Sequence, residues 1–288
     1  MQHRARHPAA QGRVPRRRAP GRCTDSQPTA PRTSVPALRT VGMALAAALV
    51  AWALAAGPAA AAEGLYLTWD DCFQGATATS NRGFDCLSNV GANELYCAFT
   101  MPQAADKVVA VEIVIDIQHA NATLPDWWRL DVGGCRQGSV SAAVDFPGKT
   151  ACLNMWQGTP AIAGVQGYIP AEPRGALSQA RIKVAASVLP QDALTLDGSS
   201  MYYAARIIIN NARTVGTPSC AGCDQPACLV LNSILIGRLP GSPGGNYFLQ
   251  TPGAGDANWA RWQGGAGANC AAVPVLNRTW GQIKSLYR

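Results

Sequence analysis

Apolar and polar residues alternate along two stretches of this 288-residue chain, and a period of two predicts β-strands. In residues 109–117 the odd positions hold Val or Ile, whereas the even positions include Glu112 and Asp116. Residues 180–188 alternate in the same way, with Ala, Ile or Val at the even positions and Arg181 and Lys183 between them. Each pattern predicts a strand with one buried face and one exposed face.

Six further segments have the composition and length of short strands, and turn-rich stretches such as 80–93 and 196–200 separate them. They are residues 65–69, 94–101, 140–146, 162–169, 201–210 and 229–236. The pattern contains no convincing long amphipathic helix. It therefore predicts an all-β fold, an antiparallel β-sandwich or a jelly roll, and not a sheet built from β-α-β units. Residues 63–240 are enough for one such domain with its own core.

The composition changes after Pro240. Residues 241–270 contain eight glycines and little periodicity, which predicts a Gly-rich, loop-like extension. Near the end, Thr279 and Gln282 have the spacing of a capping box, so we expect one short terminal helix within 241–288. Such a helix is too short to be stable alone and must pack on something through the face that carries Trp280, Ile283 and Leu286 or Tyr287.

Residues 41–62 form an uncharged, Ala-rich run that follows Arg39 and contains the pair Gly57-Pro58. This pattern predicts a signal peptide that is cleaved near Glu63. An uncleaved membrane anchor is the alternative, but alanines are weakly apolar and the Gly-Pro pair interrupts the span. Residues 1–40 are rich in Arg and Pro and predict a disordered leader, unless the true start codon lies later, at Met43 or near Val35.

The net charge of +7 is misleading because it is unevenly distributed. Nine arginines and one aspartate give residues 1–42 a charge of +8, which leaves −1 for residues 43–288. A nearly neutral exported protein has no electrostatic basis for binding nucleic acid. We therefore expect a periplasmic, cell-surface or extracellular protein without a nucleic-acid partner and without membrane contact after signal cleavage.

Nine cysteines follow the leader, and in an exported protein cysteines most simply form disulfide bonds. Because nine is odd, at least one of them lacks an intramolecular partner. Spacing does not fix the connectivity, and sequence proximity gives only two guesses, Cys72 with Cys86 and Cys135 with Cys152. The remaining disulfide candidates are Cys220, Cys223, Cys228 and Cys270.

The Cys220-x2-Cys223-x4-Cys228 run also has a spacing found in metal sites, with Cys270 as a possible fourth ligand. Zinc is disfavoured because a second C-x-x-C is missing and the protein is exported. A redox-active C-x-x-C should open a helix after a strand, whereas this one precedes a predicted strand. Disulfides are therefore favoured, and no cofactor is expected, although calcium remains an alternative through carboxylate oxygens.

The chain contains five distinctive motifs: Trp69-Asp70-Asp71-Cys72, Phe84-Asp85-Cys86, Leu124-Pro125-Asp126-Trp127-Trp128, the run from Cys220 to Asn232, and Thr279-Trp280-Gly281-Gln282-Ile283-Lys284. Together they resemble a family of exported, uncharacterised proteins from environmental bacteria. The likeness spans most of the mature chain, and the cysteine run is its most specific part. No activity is assigned to that family, so the resemblance implies export and a single folded unit but no catalytic residues.

The mature chain is poor in residues for acid-base and nucleophilic catalysis. His119 is its only histidine, and it continues the buried parity of residues 109–117, which favours a strand end near the core. Gly148-Lys149-Thr150 lacks the leading glycine of a phosphate loop and is interpreted as a turn. Five aspartates could bind calcium or provide an acid-base pair, although solvated or turn-capping roles are the default: Asp70, Asp71, Asp116, Asp126 and Asp131.

Seven tryptophans follow the leader, and the segment Asp126-Trp127-Trp128-Arg129 is the candidate ligand-binding patch. In an extended segment adjacent side chains point in opposite directions, so one ring is expected in the core and the other at the surface. Exposed aromatic faces suit sugar rings. The leading hypothesis is an exported non-catalytic module that binds carbohydrate or another cell-surface ligand. The alternatives are a carboxylate-dependent extracellular hydrolase of polysaccharide and a structural envelope protein.

Overall fold

The computed structural model describes residues 62–264 and Cys270, and these residues form an all-β sandwich, as the sequence predicts. Strand β4 (Ala105–His119), which contains the strictest alternation, lies inside the larger sheet. It pairs antiparallel with β10 (Ala227–Arg238) on one side and with β7 (Gln179–Ser187) on the other. All eight predicted segments are confirmed as strands, with small differences in their ends.

The larger sheet continues on both sides of these three strands. Beyond β10 lie β12 (Trp259–Trp262) and β2 (Asn81–Arg82), and beyond β7 lies β6 (Ile162–Pro170). Two short strands, β8 (Leu194–Leu196) and β11 (Tyr247–Leu249), pair with β4 and β10. All pairings in this sheet are antiparallel except that between β12 and β2.

The smaller sheet is antiparallel and contains β1 (Gly64–Trp69), β3 (Ala92–Thr100), β9 (Met201–Asn210) and β5 (Val140–Ala143), in that order. Its inward side chains meet those of the larger sheet in one continuous core. Leu67 of β1 and Ile207 of β9 come from one sheet, and Ile115 and Leu231 come from the other. The hydrophobic faces of the two sheets therefore stabilise each other.

The Gly-rich segment after Pro240 differs from the expectation. Strands β11 and β12 lie within residues 241–270 and pair with β10, so a purely loop-like extension is wrong for these residues. Ala260 and Trp262 are buried and Trp259 and Arg261 are half-buried, which is the alternation of a strand. Four residues are too few for that signal to stand out from the surrounding glycines. The predicted leader, signal peptide and terminal helix lie outside the described residues.

Four disulfide bonds join all eight candidate cysteines, with Cα–Cα distances of 5.3 to 5.9 Å. The two guessed pairings are wrong, because each bond joins segments that the fold, and not the sequence, brings together. The observed pairs are Cys72 with Cys152, Cys86 with Cys223, Cys135 with Cys220, and Cys228 with Cys270.

The disulfide interpretation of the Cys220–Cys228 run is thereby confirmed, since each of its three cysteines has a disulfide partner. Among the described residues Cys97 alone is unpaired, and it is buried. Four disulfides indicate an oxidising, non-cytoplasmic environment. Within the described part of the chain, no helix has the length and apolar character needed to cross a membrane.

Candidate functional site

The two tryptophans of the predicted ligand patch lie in the core. Trp127 and Trp128 belong to a 3-10 turn, Asp126–Trp128, and neither has exposed surface. The expectation that one ring is exposed is wrong, because successive side chains of a 3-10 turn are about 120° apart and not opposite. Both rings therefore turn inward, 5.0 Å apart between centroids, and contact Trp262.

Arg136 holds this turn in place from inside the protein. Its guanidinium group lies 3.6 Å from the centroid of the Trp127 ring and is almost fully buried. It donates hydrogen bonds to three backbone carbonyls, those of Trp127, Asn210 and Ala212. Burial lowers the pKa of Arg136 to about 9. The Trp127 indole also donates to Thr214 Oγ1 at 3.2 Å, so the ring is fixed on several sides.

The other two residues of the predicted patch do not form a site with the tryptophans. Asp126 is exposed at the start of the turn. Arg129 is bound by Asp131 through two hydrogen bonds of 2.9 Å, and that contact lowers the pKa of Asp131. The structure therefore does not bring Asp126, Trp127, Trp128 and Arg129 together around a ligand.

His119 lies where the strand pattern predicts, at the buried end of β4. Its Nδ1 accepts a hydrogen bond of 3.0 Å from the Asn121 backbone, and its Nε2 is buried without a hydrogen-bond partner. Burial lowers the pKa of His119, because it disfavours the charged form of the ring. Within the described part of the chain, neither ring nitrogen has a hydrogen bond to a nucleophile or a carboxylate, and His119 therefore packs as a buried strand-end residue.

Most of the aspartates considered for catalysis or for calcium binding are already hydrogen-bonded or ion-paired to neighbouring side chains. Asp116 is fully buried and accepts two hydrogen bonds from Arg181, of 2.7 and 2.9 Å, and one from Asn232. Asp70 is paired with Arg82. Within the described residues, no three His, Cys, Asp or Glu side chains are grouped as a metal site would require.

A pocket of about 300 Å³ opens at the edge of β1, and sequence reasoning did not find it. Its aromatic walls are Phe73, which is 37% exposed, and the half-buried Trp259. The polar lining consists of Thr68, Thr79, Ser80 and Asp256. The sequence feature that could have indicated this pocket is Trp259, but it lies in a segment whose glycines predicted a loop.

Two segments beside β1 form this pocket, residues 251–257 and the loop that carries Phe73. Residues 251–257 bond to the strand edge, where Leu67 N donates to Ala257 O at 2.8 Å. Gly253 is required there, because a Cβ atom at this position would come within 2.3 Å of the Tyr66 ring. Tyr66 in turn packs against Phe73, with 4.8 Å between ring centroids.

Asp71 fixes the other wall, the loop that carries Phe73. It accepts hydrogen bonds from Cys72 N at 2.8 Å and from Thr77 Oγ1 at 2.8 Å. Partial burial alone would raise the pKa of Asp71, but these hydrogen bonds outweigh it and lower the pKa. The Cys72–Cys152 disulfide anchors the same loop. Phe73 is therefore presented from a braced loop.

Trp259 is held from the side of the larger sheet. The Arg261 guanidinium lies 4.8 Å from the centroid of its ring, and the ring packs near the Cys228–Cys270 disulfide.

Comparison with known proteins adds no family assignment, because no protein-family model and no curated protein sequence matches this chain. Its function has to be inferred from the pocket's own geometry.

Proposed function

We propose that the mature chain is an exported, non-catalytic module that binds carbohydrate at the cell exterior through the pocket between Phe73 and Trp259. The observation that carries the proposal is the pairing of two accessible aromatic side chains with hydroxyl and carboxylate groups in one concave site. The four disulfides support the exported location.

The chemistry of the pocket lining suits a sugar. The apolar C–H face of a sugar ring packs against an aromatic face, while its hydroxyls form hydrogen bonds with Asp and hydroxyl side chains. Asp256 and Ser80 supply such groups beside the aromatic walls. A volume of about 300 Å³ is at the small end of ligand sites, which favours a terminal sugar unit over a long internal stretch of polysaccharide.

Binding is favoured over hydrolysis because the described lining of the pocket contains a single carboxylate. Glycoside cleavage by the common mechanisms uses two carboxyl groups about 5 to 10 Å apart on either side of the scissile bond. The described lining of this pocket contributes one, Asp256. A structural envelope protein would make its contact through a spare cysteine or through the predicted terminal helix. Cys97, the unpaired cysteine among the described residues, is buried and does not present a thiol to a partner.

The test is a glycan-array screen followed by calorimetric titration of the mature chain with the sugars it selects. Trp259→Ala and Phe73→Ala should each weaken binding by about tenfold or more, equivalent to about 1.4 kcal/mol. Phe248→Ala is the matched control, because Phe248 is a 54% exposed aromatic residue outside the pocket. Unchanged affinity in both pocket variants, or an equal loss in the control, would refute the proposed site.

A further inference from the structure

Strand β6 is the last strand at one edge of the larger sheet. It pairs with β7 on one side, and among the strands of the described chain none pairs with its other side. The backbone N–H and C=O groups along such an edge can pair with another extended chain. Natural edge strands are commonly protected by charged side chains, but residues 162–170 contain none. The outer edge of β6 is therefore a neutral template for a further strand.

The side chains of β6 are distributed symmetrically between the core and the outer face of the sheet. Gln166 has no partner in β7, and this bulge reverses the alternation beyond it. The inward residues, which pack against the core, are Ala163, Val165 and Tyr168. The outward residues oppose the odd-numbered residues of β7, whose even-numbered residues are buried; they are Ile162, Gly164, Gly167 and Ile169. The outward order is therefore Ile-Gly-Gly-Ile in both chain directions.

The described fold does not explain the two glycines of this strand. Neither Gly164 nor Gly167 has a positive φ. A Cβ atom at Gly164 would meet no described atom within 4 Å, and one at Gly167 would meet only Ile169, at 4.0 Å. Glycine inside a strand lowers stability and often marks a place where another backbone approaches closely. Within the described part of the chain, the space beside both glycines is open.

Both ends of this edge carry exposed apolar side chains. Ile162 is 76% exposed and Ile169 is 38% exposed. Leu189 is also exposed and follows β7 at the end where Ile162 pairs with that strand. Leu177 is exposed and precedes β7 at the opposite end, on the side of Ile169. Each end of the edge therefore presents two apolar side chains to solvent.

We infer that β6 pairs antiparallel with β6 of a second copy of the chain, about a two-fold axis at the middle of the strand, so that the two larger sheets become continuous. In this register Ile162 of each copy faces Ile169 of the other, and Gly164 faces Gly167. A two-fold interface requires a self-complementary surface, and the order Ile-Gly-Gly-Ile meets that requirement. Facing residues also point to the same side of the joined sheet, as strand pairing demands.

Charge and size are consistent with a second copy as the occupant. Strand β6 is uncharged and residues 43–288 carry a net charge of −1, so electrostatic repulsion between two copies is small. Eight paired residues extend over about 27 Å, which is a smaller contact than the standard interface of a stable complex. We therefore expect a reversible dimer with a Kd of about 1 to 100 µM. The interface is separate from the proposed sugar pocket, whose lining contains no residue of β6.

Sedimentation-velocity ultracentrifugation of the mature chain tests the pairing over a concentration range of about 1 to 200 µM. The unaltered chain should change from monomer to dimer within this range. Ile162→Lys places a charge in the apolar contact and should weaken dimerization by about tenfold or more. Phe248→Lys is the matched control, because Phe248 is an exposed apolar residue of β11, which pairs with β10 and not with β6. It should leave dimerization unchanged.

Two double variants test the register itself. Ile162→Lys combined with Ile169→Glu brings opposite charges together across the axis, whereas Ile162→Lys combined with Ile169→Lys brings like charges together. The first should dimerize at least about tenfold more tightly than the second, and far-UV circular dichroism verifies that both are folded. A monomer at every concentration of the unaltered chain would overturn the inference. Equal association of the two double variants would overturn it as well.

Discussion

Trp127→Ala separates a structural role for the Trp127-Trp128 pair from a ligand-binding one. A fully buried aromatic side chain removes about 150 to 250 Å² from water, which at about 25 cal/mol per Å² corresponds to about 4 to 6 kcal/mol. Substitutions of buried Trp or Phe by Ala cost about 3 to 5 kcal/mol. The variant also loses the hydrogen bond to Thr214 and the ring under Arg136. We expect its free energy of unfolding to fall by about 4 to 5 kcal/mol.

Urea unfolding followed by far-UV circular dichroism, with the disulfides kept intact, measures this change. Trp127→Phe keeps most of the packing and should cost only about 1 to 2 kcal/mol. Trp259→Ala is the contrasting variant, because its half-buried ring should affect stability by less than half as much as Trp127→Ala. A loss below about 1 kcal/mol in Trp127→Ala, accompanied by loss of ligand binding, would refute the assignment of Trp127 to the core.

Three further outcomes follow from the described contacts. Arg136→Met removes the donor from one buried carbonyl, that of Trp127, and from two partly buried ones, and we expect the free energy of unfolding to fall by about 3 to 5 kcal/mol in the same urea assay. A loss under about 1 kcal/mol would contradict the role of Arg136 in holding the Asp126–Trp128 turn. Burial lowers the pKa of His119, so the unfolded chain takes up a proton first as the pH falls below about 6.5. Stability should then decrease with falling pH by at most about 1.4 kcal/mol per pH unit from this residue, and His119→Gln should remove that part of the slope; identical pH profiles would count against it. Replacing both Cys86 and Cys223 by Ser should cost about 2 to 4 kcal/mol, as judged by thermal unfolding, and no change in the melting temperature would argue against this disulfide.

The strand pattern could be predicted because each long strand buries one face. Residues 109–117 and 180–188 lie at the centre of the larger sheet, where two-sided pairing and one-sided burial force a strict alternation. Strand β12 was not predicted, because its four residues are too few to show a clear alternation and lie among glycines. That the cysteines form disulfides could be expected from the predicted oxidising compartment, whereas their connectivity depends on which loops the sandwich brings together.

The candidate site was predicted less well. The expectation of opposed rings at Trp127 and Trp128 assumed an extended backbone, and the 3-10 turn removes that assumption. The contact that fixes Trp127 comes from Arg136, nine residues later in the chain, and no local sequence pattern predicts it. The pocket requires residues from β1, from the loop after it and from the segment before β12, so only the assembled fold shows that Phe73 and Trp259 face one space.

The most direct test of the account is the set of tryptophan indole N–H signals in a two-dimensional nitrogen–proton NMR spectrum of the mature chain. The signals are assigned by single Trp→Phe variants and followed during titration with the sugar selected on the array. The account predicts that the Trp259 signal shifts with saturation while those of Trp127 and Trp128 stay in place. Shifts of Trp127 or Trp128 with a stationary Trp259 signal would contradict it.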